Sequence, residues 1–95
     1  MSKYHANSMS DVKYYNRQAG FYFFAKETID FWGTKVETSL FKNNTFVTSE
    51  NNFYETKRLF TVRRYNPNTA EIDTEYSFQE FETLQDARKA ALALS

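Results

Sequence analysis

Four cations crowd one stretch with no acid between them: Lys57, Arg58, Arg63 and Arg64, all within KRLFTVRR. Guanidinium and ammonium groups at this density can hold phosphate, and Tyr65 directly after them adds a ring. A run of carboxylates follows, Glu71, Asp73, Glu75, Glu80, Glu82 and Asp86, with no base among them. A carboxylate pair can do general acid–base work when one member is buried with a raised pKa, and can hold a metal when its ligands are spaced around a loop. Here Glu71, Asp73 and Glu75 alternate, which on a strand puts them on one face, the wet one. The sole histidine, His5, lies in the polar opening stretch, so a Ser–His–Asp arrangement has no base. There is no cysteine, hence no disulfide or thiolate site. With Gly20 and Gly33 as the only glycines, no phosphate-cradling loop exists. The expectation is a protein that is not an enzyme, with no catalytic residue, metal site or cofactor.

Binding chemistry is what remains. The basic strand admits two readings. It either pairs across to the acidic strand, Arg63 with Asp73 for instance, or presents its charge to a partner. Tyr14, Tyr15, Tyr22, Phe53, Tyr54 and Tyr65 are many rings for one small core, and Tyr and Arg anchor protein interfaces. A contact surface of Arg58, Arg63, Arg64, Tyr65, Phe53 and Tyr54 is expected on these grounds, facing a protein partner or a second copy. The alternative is a DNA- or RNA-binding regulator that adds Lys57, Arg88 and Lys89. A third reading, a nucleotide or signal-molecule sponge, needs an aromatic pocket near Tyr14, Tyr15 and Tyr22 with Arg17. Twelve basic and twelve acidic residues cancel, which disfavours bulk attraction to nucleic acid or anionic membrane and ranks the protein partner first.

The elements that must position these residues are built on rings. Ten Phe, seven Tyr and one Trp in 95 residues supply much apolar area per side chain, enough for one domain without staples. Residues 1–10 (MSKYHANSMS) are polar and without period, a flexible tail; residues 11–95 form the domain. Asp11–Ala19 is either a short helix closed at Gly20 or an extended lead-in. Phe21–Phe24 is a buried strand or the aromatic end of that turn. KETIDFW, Lys26–Trp32, reads as a short helix with Ile29 and Trp32 on one face and Gly33 as its left-handed stop. Thr34–Lys42 then alternates with period two. Asn43-Asn44 suits a tight turn, and Thr45–Glu50 returns.

Lys57–Tyr65 is the clearest strand, Asn66–Ala70 a turn around Pro67, and Glu71–Phe81 the last strand. Opposing Tyr65 to Glu71 places Arg64 against Ile72, Phe60 against Tyr76 and Arg58 against Phe78. It also places Arg63 against Asp73 on the wet face. Thr83 caps a closing helix with Asp86 three residues on, and Leu84, Ala87, Ala91 and Leu94 form its inner stripe. The fold class is α+β: an antiparallel sheet of three to five strands, with a C-terminal helix on one face and a short N-terminal helix, in two layers. No signal segment or long apolar run is visible, so a cytoplasmic protein that does not enter the membrane is expected.

Two resemblances bear on function. The closing FETLQDARKAALA resembles the strand-to-helix joint of small DNA-binding modules such as the arm-binding domains of tyrosine integrases and plant AP2-type domains. The aromatic run after Asn16, the FVTSE strand (Phe46–Glu50), LFTVR (Leu59–Arg63), the NPNTAEIDT hairpin (Asn66–Thr74) and the closing F-x-x-F-x-T-x-x-x-A helix together resemble small proteins encoded by bacteriophages and other mobile elements. That second resemblance implies a protein acting in the host cytoplasm by binding and inhibiting a host machine, such as a CRISPR, restriction or signalling-based defence component. It carries no assigned site residues.

Overall fold

The computed structural model describes residues 6–54 and 57–94. His5 and half of the expected tail, residues 1–5, lie outside them. The helix boundary moves toward the N-terminus: α1 spans Met9–Gln18, with the Ser8 hydroxyl accepting from the Asp11 amide. The Asp11 carboxylate in turn accepts from the Asn7 amide, so each end of the cap satisfies an otherwise orphan donor. Val12 and Asn16 form the buried side of α1, one turn apart. The aromatic run Phe21–Phe24 is an irregular link rather than a strand. It buries Phe24 and leaves Phe21 and Tyr22 exposed.

α2 spans Lys26–Trp32 and stops at Gly33, whose φ of 61° is the left-handed value that glycine adopts without strain. A four-stranded antiparallel sheet follows in chain order, β1 (Lys35–Thr38), β2 (Thr45–Asn51), β3 (Arg58–Asn66) and β4 (Glu71–Glu75). β1 is shorter than its alternation implies, because an irregularity between Val36 and Thr38 breaks the ladder and the chain leaves the sheet. Asn44 closes the β1–β2 connection at φ 66°. α3 spans Leu84–Ala93, with the Thr83 hydroxyl accepting from the Asp86 amide and Ala87 and Ala91 fully buried.

Helices cover both faces of the sheet, so the architecture has three layers and not two. On one face Phe46, Tyr65 and Ile72 pack with Val12, Phe24 and Ile29 from the α1–α2 layer. On the other, Val47, Val62 and Phe60 pack with Ala87, Ala91 and Leu84 of α3. β2 is consequently buried from Thr45 to Glu50 without alternation, as a strand covered on both sides must be.

The β3–β4 register differs by one residue from the sequence expectation. Asn66 opposes Glu71, so Tyr65 opposes Ile72, Arg64 opposes Asp73, Arg63 opposes Thr74 and Val62 opposes Glu75. The turn is the cause. Ala70 takes φ 62° and donates its amide to the Asn66 carbonyl, which leaves a loop of Pro67–Ala70 between the paired ends. A one-residue slip exchanges the faces of a strand. The slip re-faces β4, whereas Arg63 keeps the face opposite that of Val62 and Phe60; that face, expected to be wet, lies beneath α1 and α2. β4 also ends early: the chain bulges out over Tyr76–Glu80, with Tyr76 at φ 60° and Gln79 at φ 56°, then rejoins where Phe81 and Phe60 exchange backbone hydrogen bonds.

Candidate functional site

The β2–β3 pairing, covered by the α1–α2 layer, places an ion pair inside the fold. Arg63 from β3 and Glu50 from β2 are 8% and 1% exposed, with Nη2 donating to Oε2 at 3.3 Å. Arg63 Nε also donates to Thr48 Oγ1, and Nη1 to Thr74 Oγ1. Glu50 accepts further bonds from the hydroxyls of Thr48 (2.7 Å) and Thr61 (3.0 Å). The guanidinium carbon lies 4.9 Å from the Phe23 ring centroid and 5.4 Å from that of Phe78, so the cation is stacked between two rings. Burial pushes the Arg63 guanidinium below the ordinary arginine value, and the neighbouring Glu50 charge opposes that shift.

Above this pair is a cleft of about 290 Å³, walled by Trp32 and Thr28 of α2, Phe23, Phe78 and Thr34. The bulged segment forms one wall because it is pinned to the sheet: the Gln79 amide donates to Thr61 Oγ1 and its side-chain amide donates to the Asn51 carbonyl. Phe78 is thereby held 5.2 Å from Trp32, centroid to centroid. Trp32 continues the ring contacts outward to Phe31 at 5.2 Å and Phe53 at 5.3 Å, and Phe31 meets Phe53 at 5.4 Å. Phe31 is 64% exposed, Phe53 59% and Phe78 44%. Four rings thus form a continuous open surface around a cleft whose floor is a neutralised ion pair.

The expected contact residues divide between this surface and the interior. Phe53 belongs to the ring cluster, and Tyr54 beside it is 97% exposed. Tyr65 is buried at 1% exposure. Arg58 is spent on structure: Nε donates to Ser49 Oγ, Nη1 to Asn51 Oδ1 and Nη2 to the carbonyls of Ser49 and Gly33, tying β3 to the end of α2. Arg63 forms the cleft floor. Arg64 pairs with Glu75 at 3.4 Å rather than opposing Ile72. Of the arginines of the basic strand, Arg63 is buried and Arg58 is bound up in structural hydrogen bonds, while the Arg64 side chain stays 37% exposed beside Glu75. Lys57, Arg88 and Lys89 are exposed, the last two on the outer side of α3.

The sponge pocket does not assemble as expected: Arg17 lines a cleft with Lys13 and Lys35, while Tyr22 lines a different one with Asn16 and Glu71. Sequence reasoning missed Phe31, Trp32 and Phe78. Phe31 was legible as an apolar residue off the Ile29 stripe of α2, whereas Phe78 depends on a bulge that no local signal marks.

Comparison with known proteins gives no match among curated proteins and none among solved structures. A family model matches residues 8–92, from the cap of α1 to the last turn of α3, so α1, α2, the four strands and all but the final residue of α3 fall within it. The chain belongs to the family of unknown function DUF7447.

Proposed function

We propose that this chain is a non-catalytic binding protein that engages a protein partner through the ring surface of Phe31, Trp32, Phe53 and Phe78, with Tyr54 at its rim. The observation that carries this reading is the contiguity of the rings around the cleft. Single exposed apolar residues are ordinary, but a joined cluster of large rings marks a contact site. Tryptophan and aromatic pockets are where interface energy concentrates, because a ring inserted into a pocket is fully desolvated. The cleft floor suits such an anchor: the Arg63 charge is already balanced by Glu50, so the site offers hydrogen-bonding edges without demanding a counter-ion. Inhibition of a host defence component is the context that the bacteriophage resemblance suggests for this surface. The surface itself supports the class of partner.

The test is capture from nuclease-treated bacterial lysate with the native chain and a Phe31→Ser/Phe53→Ser variant side by side. Both rings are largely exposed, so the variant keeps its melting temperature. The expected outcome is one protein retained near stoichiometry by the native chain and lost from the variant. Equal retention by both would contradict the assignment of the surface. Retention of nucleic acid alone, when nuclease is omitted, would contradict the protein partner.

A further inference from the structure

A second cleft, of about 510 Å³, lies on the other side of α2, between α1, α2 and the start of β1. Its rim is basic. Lys13 and Arg17 stand one helical turn apart on α1, and Lys35 opens β1 across from them. Its floor is apolar, made by Ile29 and Val36 with the edge of Phe24, over which Lys13 Nζ sits 5.7 Å from the ring centroid. None of the lining residues is acidic. Among the described residues no ion pair engages Lys13, Arg17 or Lys35.

The carboxylates of the same three elements are turned to other tasks. Asp11 accepts from the Asn7 amide, Asp30 pairs with Lys26 and Glu37 accepts from Ser49 Oγ. Glu27 precedes Ile29 by two residues, which on a helix is the opposite side. Three like charges around one opening repel each other while it is empty, and an anion seated among them removes that repulsion.

We propose that this cleft is a binding site for a small amphiphilic anion, an aliphatic body ending in a phosphate or carboxylate head. The cations select the head, and Ile29 and Val36 receive the body. The lining argues against a nucleotide: its one ring, Phe24, is 3% exposed and offers no open face for a base to stack on. The site is separate from the ring surface, since α2 stands between the two clefts and only Thr34 lines both.

The experiment is titration of the full chain with n-octyl phosphate and with octanoate, followed by backbone amide shifts. Inorganic phosphate, octyl glucoside and adenosine monophosphate serve as head-only, body-only and nucleotide probes. The expected result is saturable shifts at Lys13–Arg17, Ile29 and Thr34–Val36 with at least one amphiphile, the tighter of the two identifying the head group. Each control probe should bind at least about tenfold more weakly, a difference of about 1.4 kcal/mol. Lys13→Gln/Arg17→Gln should lose a similar factor, and Lys35→Gln provides the same readout should the double variant fold poorly. Absence of saturable shifts from both amphiphiles at millimolar concentration would overturn the proposal. So would binding unchanged by charge removal, or tighter binding of adenosine monophosphate.

Discussion

Arg63 shows how much a single residue's environment can differ from its surroundings in sequence. It stands in the most basic stretch of the chain, yet the fold encloses it, pairs it with Glu50 and stacks it between Phe23 and Phe78. Removing one partner of a buried pair strands the other charge, so Glu50→Ala should lower the unfolding free energy by about 3–5 kcal/mol in urea denaturation. Glu50→Met/Arg63→Met removes both charges and should recover most of that loss. If the double variant is as unstable as the single one, the pair is not the source of the effect. Gly33 provides a second test. A methyl there would meet both a left-handed φ and the Asn51 amide, which Arg58 holds in place. Gly20 shares the positive φ but faces open space. Gly20→Ala should therefore cost about 1–2 kcal/mol for the backbone alone, and Gly33→Ala clearly more, compared by thermal melts.

Among elements, those specified by local chemistry were legible in the sequence. Gly33 stops α2, Thr83 caps α3, Asn43-Asn44 turns the chain, and the spacing of Leu84, Ala87 and Ala91 gives the inner face of α3. Thr83→Ala should cost about 1 kcal/mol, read as a lowered melting temperature, because the Asp86 amide loses its acceptor. What could not be read depends on long-range fit. The β3–β4 register turns on Ala70 adopting a left-handed conformation, which alanine does not advertise, and one residue of slip exchanges the β4 side chains on each face; Arg63 is kept from water by the α1–α2 layer above it. The second helical layer was missed for a related reason. Polar Thr45, Thr48, Ser49 and Glu50 are buried in β2, so its composition suggests an exposed side that it does not have.

At the scale of the whole molecule, the three layers leave one end of the α1–α2 side unfinished. α2 is only seven residues long and cannot cover the sheet, so Trp32, Phe53 and Phe78 meet around the gap instead of closing over it. Phe53 and Tyr54 were legible as candidates because large rings in a polar connection have no core to enter. Their neighbours were not, since Phe31 and Phe78 reach them only through the tertiary fold. The central claim is that this gap is where a partner docks. The most direct measurement is hydrogen–deuterium exchange on the captured complex against the free chain. Protection is predicted in α2, in the end of β2 with Asn52–Tyr54, and in the Tyr76–Glu80 bulge. Protection on the outer face of α3, at Arg88 and Lys89, with none at the ring surface, would contradict the account.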